Sequence, residues 1–206
     1  MSEDEAAPPE EAFSDQLERW LRSDDPKTLG AITDVFAEKS FAVAVLLLMI
    51  LPALPLPTGG VSHVLEVITV LLAGQMVLGR RTVWVPARFR HRDLGATTTE
   101  KAIPLIIRWI RRVERFSRPR GVSLLRNRWT LRVLGLILIA FAVAAALAPP
   151  FSGLDTLPAL GAVLVALAII LEDVLVLGVG IALGAGGILL IVTIGTALVK
   201  LVRGLV

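Results

Sequence analysis

From Val174 to Val199 the chain carries no charged residue. A helix rises 1.5 Å per residue, so this run covers about 39 Å and can span a ~30 Å hydrocarbon core with tilt. Four more apolar blocks precede it, at Phe41 to Leu51, Val61 to Gly79, Leu131 to Ala148 and Leu157 to Leu171. The 55% share of hydrophobic residues and the mean hydropathy of +0.75 exceed those of an ordinary soluble domain. We expect an all-α integral membrane protein, multi-pass, and not a soluble enzyme. An acidic tail with one amphipathic helix occupies residues 1–27. A single membrane domain follows over 28–206, with apolar blocks at about 41–56, 61–79, 131–148, 157–171 and 174–199.

Charge is spread as unevenly as hydropathy. Residues 1–40 hold 11 of the 18 acids and 4 of the 21 bases, whereas residues 80–132 hold 15 of the bases and 3 acids. The basic stretch lies between two apolar blocks, so the excess of Arg and Lys in cytoplasmic loops accounts for it. Loop 80–130 is therefore expected to be cytoplasmic, and no nucleic-acid partner is expected, because no binding motif accompanies the charge. Arg80 and Arg81 close the second block as topology anchors, with Trp84 beyond them at the interface. Further on, Ile106, Trp109, Ile110 and Val113 share one helical face, and Arg108, Arg111, Arg112 and Arg115 the other. This pattern predicts an interfacial basic helix, acting as a plain anchor or as a contact for anionic lipid headgroups. In the tail, Phe13, Leu17, Trp20 and Leu21 form one face of a short helix, and Leu29, Ile32, Val35 and Phe36 form another amphipathic turn. These either lie on the membrane surface or pack on the protein itself. The opening acids stand where an export signal needs bases, so no cleaved signal is expected.

Two interruptions divide the apolar blocks. The first is Pro52-Ala-Leu-Pro55-Leu-Pro57-Thr-Gly59-Gly60, which cannot continue a helix. Irregular backbone at membrane depth is tolerated only where protein or a polar cavity surrounds it. The second is Pro149-Pro150 through Asp155. The two align at an offset of 93 residues, with Pro57 on Pro150, Gly60 on Gly153 and Ser62 on Asp155. Val70 with Val163, Ala73 with Ala166 and Leu78 with Leu171 continue the register. We therefore expect broken or re-entrant helical hairpins in an internal repeat, and such paired breaks point to a membrane binding site. Small residues from Gly178 to Gly187 predict close helix approach. If the last run is one span, the C-terminus lies opposite the loop, whereas a break at Gly184–Gly187 would return it.

The segments Leu54-Pro-Leu-Pro-Thr-Gly-Gly-Val61, Gln75-Met-Val-Leu-Gly-Arg-Arg-Thr-Val-Trp-Val-Pro86, Asp155-Thr-Leu-Pro-Ala-Leu160 and Glu172-Asp173 resemble the ExoD family of bacterial membrane proteins. The resemblance runs from about Thr28 to about Leu198. It implies a role in exopolysaccharide synthesis at the bacterial inner membrane. The breaks also resemble, at the level of fold, re-entrant hairpins of DedA-type lipid-carrier transporters.

Glu66 is an acid inside an apolar block, where ionisable groups are costly and face the protein interior. Ser62, Glu66, Thr69 and Ala73 fall on one helical stripe, and His63 can reach Glu66. The stripe is either a polar substrate site under the break or a hydrogen-bonded cluster that holds it. We expect Pro55, Pro57, Gly59, Gly60, Ser62, His63, Glu66, Asp155 and Thr156 to line that site. Asp155 could instead cap the helix after it. Glu66→Leu is expected to destabilise by leaving freed backbone without a partner. Glu172-Asp173 reads as a solvated helix end. The chain has two histidines and no cysteine, and no metal, cofactor or catalytic motif is expected. Two functions follow as expectations. One is handling or transport of a lipid-linked sugar, polyprenyl phosphate or other anionic precursor. The other is a scaffold or regulator docked on polysaccharide-assembly proteins. Either is compatible with a homo-oligomer.

Overall fold

Where prolines, glycines or charges interrupt the apolar runs, the helices end. The computed structural model describes residues 12–28, 30–31, 39–54, 60–80, 82–84, 90–91, 93, 95, 99–100, 103–115, 117, 120–149 and 152–205. Eight helices form among them: α1 (Phe13–Arg22), α2 (Ser40–Met49), α3 (Val61–Val77), α4 (Ile103–Glu114), α5 (Val122–Leu125), α6 (Arg128–Leu147), α7 (Thr156–Leu171) and α8 (Val174–Leu205). Pro55, Pro57, Gly59 and Arg81, with the turn from Leu29 through Phe36 except Gly30 and Ala31, lie outside the described residues.

α2 and α3 form one helical pair and α6 and α7 another, and the pairs pack through α2 on α7 and α3 on α6. α7 lies at the centre, with Ala159, Ala162, Val165, Ala166 and Ala168 fully buried. α8 lies along α7. It comes close because its glycines meet small partners: a methyl built on Gly161 would lie 2.5 Å from the Gly184 Cα and 2.9 Å from the Gly180 carbonyl oxygen. The expected close approach is therefore present. The Gly184–Gly187 segment does not break α8, which runs unbroken for 32 residues, about 48 Å. A glycine in a helix costs only about 1 kcal/mol, and tight packing on α7 offsets that.

Helices α6 and α8 contain the two described segments long and apolar enough to cross a membrane, Arg128–Leu147 and Val174–Ala197. Only 33% of the first segment and 17% of the second is buried inside the protein. Val133, Leu136 and Leu147 of α6, Val64, Val67 and Leu71 of α3, and Val179, Leu189 and Val192 of α8 all face outward. An apolar exterior this extensive is unusual for a protein bathed in water.

The amphipathic elements pack on each other. Phe13, Leu17 and Trp20 of α1 are buried with Ile103, Ile106, Ile107 and Ile110 of α4, in one hydrophobic cluster with the bundle. Of the two placements expected for α1, the contact with protein is the one found. The apolar face of α4 differs from the one read in the sequence. Ile103 and Ile107 are buried, while Trp109 is 55% exposed. The docked α1 selects the isoleucine ridge and turns Trp109 outward. Polar groups lock the pair. Arg111 donates to Asp15 at 2.9 Å and to Glu18 at 2.6 Å. The Ser14 backbone N–H donates to Glu114 at 3.0 Å, and the Ser14 hydroxyl donates to the other oxygen of that carboxylate. Arg108, Arg112 and Arg115 remain exposed. A bridge between Thr28 and Asp93 also joins the N-terminal segment to the loop. Opposite charges thus meet across the contact of α1 with α4.

Candidate functional site

The expected stripe on α3, Ser62, Glu66, Thr69 and Ala73, is buried in full, and Met76 extends it by a turn. The spacing i, i+4, i+7, i+11 puts them on one side of the helix, and α3 packs that side on α2 and α6. Glu66 has no exposed surface. Its Oε2 lies 2.9 Å from His63 Nδ1, and His63 keeps a third of its side chain exposed. Its Oε1 is buried without a hydrogen-bond partner. The Thr69 hydroxyl donates to the Leu65 carbonyl at 2.9 Å. Glu66 bonds to His63 rather than to backbone freed at the break, so the expected reason for Glu66→Leu to destabilise is not found. An orphaned carboxylate oxygen in an apolar bundle is costly to bury, so stability alone does not explain a glutamate here.

Both interruptions lie at the same end of the bundle, remote from the basic loop. α2 stops at Met49 and continues as turns to Leu54, where Ala53 N–H donates to the Met49 carbonyl. α3 starts after Gly60, at φ 91°. At the second interruption Gly153 has φ 69°. These two glycines are the ones aligned by the offset of 93, and both occupy the left-handed region that other residues adopt only with strain. The capping role expected for Asp155 is not found. It precedes α7 in a helical conformation and makes no side-chain cap bond. Thr156 opens α7, and its N–H donates to the Gly153 carbonyl at 3.3 Å. Ser62, His63, Glu66, Asp155 and Thr156 therefore occupy the ends of α3 and α7 at the interruptions.

At the opposite end a second polar cluster was missed in the sequence. Glu172 and Asp173 are 7% and 1% exposed, not solvated. Glu172 lies 3.2 Å from Arg126 Nε and 3.7 Å from Lys39 Nζ. Its backbone carbonyl accepts from Gly121 N–H at 3.0 Å. Asp173 accepts from the Ser117 hydroxyl at 2.8 Å and from Leu175 N–H at 2.8 Å, which caps α8. Lys39 also donates to the Ile170 carbonyl at 2.8 Å. A two-residue link between antiparallel helices must fold back sharply, and Glu172 does so with φ 54°. Arg126 of the basic loop lies against that link. The available signal was the pairing of an acidic link with an arginine-rich loop at one end of the bundle.

Gln75 is structural. Its side chain accepts from Trp84 N–H at 2.9 Å and donates to the Trp84 carbonyl at 3.4 Å. Arg80 stacks over the Trp84 ring and Arg132 over Trp129, which keeps these anchors at the loop end. No cluster of metal-binding side chains occurs among the described residues.

Comparison with known proteins adds a lineage to this geometry. An uncharacterized protein of Synechocystis sp. (strain ATCC 27184 / PCC 6803 / Kazusa), slr1875, is 24% identical over 171 residues, covering 82% of this chain and 80% of that protein. No solved structure matches the chain. The family described as "Exopolysaccharide synthesis, ExoD" matches residues 13–193. That span takes in α1 through most of α8, with both interruptions, the Glu66 stripe and the buried acidic link, and the chain belongs to the ExoD family.

Proposed function

We propose that this chain is an integral inner-membrane protein that handles an anionic, lipid-linked precursor of exopolysaccharide synthesis, without catalysing a covalent step. The observation that carries the reading is Glu66, fully buried in an apolar helix with one carboxylate oxygen unpartnered. A buried ionisable group with spare hydrogen-bonding capacity in a membrane helix marks a substrate or proton path. His63 touches Glu66 and reaches the exterior, which supplies a route for a proton.

The architecture behind the reading is a duplication of a helix–break–helix hairpin, α2–α3 and α6–α7. Its support is the aligned pair of left-handed glycines, Gly60 and Gly153, and the reciprocal packing of α2 on α7 and α3 on α6. Both hairpins open toward the basic loop, which the charge rule assigns to the cytoplasm. They enter from that side, and α8 carries the C-terminus to the other.

Glu66→Gln tests the function. It keeps the shape and one hydrogen-bond acceptor but removes the charge. We expect a protein of unchanged melting temperature that restores exopolysaccharide output poorly to cells lacking the native chain. Full restoration would remove Glu66 from the function. Reconstituted liposomes with labelled polyprenyl phosphate test handling directly, since a protein-dependent change in lipid accessibility is expected. A scaffold docked on polysaccharide-assembly proteins is the second reading. It draws on the exposed Trp109 flanked by Arg108 and Arg112, and it predicts loss of output from substitutions there with Glu66→Gln silent.

A further inference from the structure

The loop end of the bundle holds a cavity of about 330 Å³ between the ends of the two helical pairs. Its walls come from the start of α2, the end of α3, the start of α6 and the end of α7. Among the described residues four cations line it, Lys39, Arg80, Arg126 and Arg128, against one carboxylate, Glu172. The inner wall is apolar, formed by Phe41, Met76, Leu131 and Ile169. Glu172 pairs with Lys39 and Arg126. Arg80 and Arg128 have no carboxylate partner among the described residues, and both are exposed at the mouth.

We infer that this cavity is a binding site for the phosphate headgroup of a membrane lipid. Positive charge beyond what Glu172 neutralises calls for an anion. The arginine geometry suits phosphate oxygens, which accept paired N–H donors. The apolar inner wall suits the hydrocarbon attached to that phosphate and gives a free anion nothing. Basic pockets between membrane helices on the cytoplasmic side take anionic headgroups for the same reason. The occupant is a lipid-borne phosphate, and a long-chain phosphomonoester fits best, because it carries the most charge on the smallest headgroup. The inference deepens the proposed function by placing the precursor's phosphate at the opposite end of the bundle from Glu66.

The structure also decides which residues test it. Lys39 and Arg126 neutralise a buried acid, so their loss would disturb folding. Arg80 and Arg128 are free of that duty. The full chain is purified in detergent, and binding of a C55 polyprenyl phosphate is measured by native mass spectrometry and by thermal stabilisation. Arg80→Gln with Arg128→Gln is expected to weaken binding by about tenfold or more. Arg19→Gln with Arg120→Gln removes equal charge at exposed positions outside the cavity and is expected to leave binding within about twofold. Ala42→Phe, which adds bulk at the cavity wall, should weaken binding while retaining every cation. Inorganic phosphate at the same concentration should neither bind measurably nor compete.

Equal weakening by the two arginine pairs would overturn the site in favour of diffuse electrostatic attraction, and full competition by inorganic phosphate would overturn its lipid character. Unchanged binding in the Arg80/Arg128 variant would overturn it outright. Glu66→Gln separates this inference from the proposed function. Cavity-dependent lipid binding with normal exopolysaccharide output in Glu66→Gln would refute the role of Glu66 and leave the cavity standing. Cavity-independent binding with lost output would do the reverse.

Discussion

Gly161 gives a sharp test of how α7 and α8 hold together. A methyl group added there would sit 2.5 Å from the Gly184 Cα, 2.7 Å from its amide nitrogen and 2.9 Å from the Gly180 carbonyl oxygen. Carbon atoms pack best at about 3.5–4.0 Å, so the helices would have to part by roughly 1 Å. All three neighbours are backbone, so no side-chain rotation relieves the clash. Overpacking of this kind costs about 1–3 kcal/mol, against a helix-propensity gain of about 0.5–1 kcal/mol for replacing glycine by alanine. Because α7 is the central helix, the displacement also loosens its contacts with α2 and α6, and we expect Gly161→Ala to be destabilising by about 2 kcal/mol. Gly186 lies on the same helix as Gly184, and a methyl there meets nothing within 4 Å. Gly186→Ala should therefore be neutral or stabilising by up to about 1 kcal/mol. Thermal unfolding of the detergent-solubilised chain, followed by helical circular dichroism, reads both. If Gly161→Ala melts with the parent, or if both variants melt equally early, the close contact of α7 with α8 is not what stabilises the bundle.

The buried link gives a second prediction. Glu172→Ala should lower stability by about 1–3 kcal/mol through loss of its pairing with Lys39 and Arg126. Glu172→Gly should recover roughly 1 kcal/mol of that, because residue 172 sits at positive φ, and equal melting of the two would contradict the backbone geometry. The tail contact is pH-dependent. The Arg111 hydrogen bond, helped by the Arg22 charge, holds the Glu18 carboxyl below its ordinary value of 4.5. A depressed folded value means the contribution is complete above 4.5 and fades as pH falls through the lower value. Proteolysis within α1 should thus quicken at acid pH in the parent chain, and less so in Glu18→Gln. For topology, single cysteines in this cysteine-free chain should label from the cytoplasm at Arg90 and from the periplasm at Leu205. Labelling of both from one side would refute the unbroken crossing by α8.

The sequence alone determined the helices and much of their facing. Run length against bilayer thickness fixes which apolar blocks can cross, and the proline-containing interruptions fix where α2 and α6 stop, whereas the glycines of α8 left its continuity open. The Glu66 stripe was legible because helical periodicity places Ser62, Glu66, Thr69 and Ala73 on one side, and an acid among apolar neighbours turns that side inward. The offset that paired Gly60 with Gly153 was legible as spacing, before both proved to be left-handed.

Tertiary structure decided what depends on a partner far along the chain. Periodicity cannot tell an amphipathic helix on a membrane from one on another helix. Only the meeting of Phe13, Leu17 and Trp20 with the isoleucines of α4 settles α1 on protein and turns Trp109 outward. Local composition makes Glu172 and Asp173 look solvated. They are buried because the chain returns Lys39, Ser117 and Arg126 to the same point. Local sequence likewise offered Asp155 a capping role that it does not take. Whether a charge is buried is decided by what can neutralise it, and those groups lie more than 40 residues away in the chain.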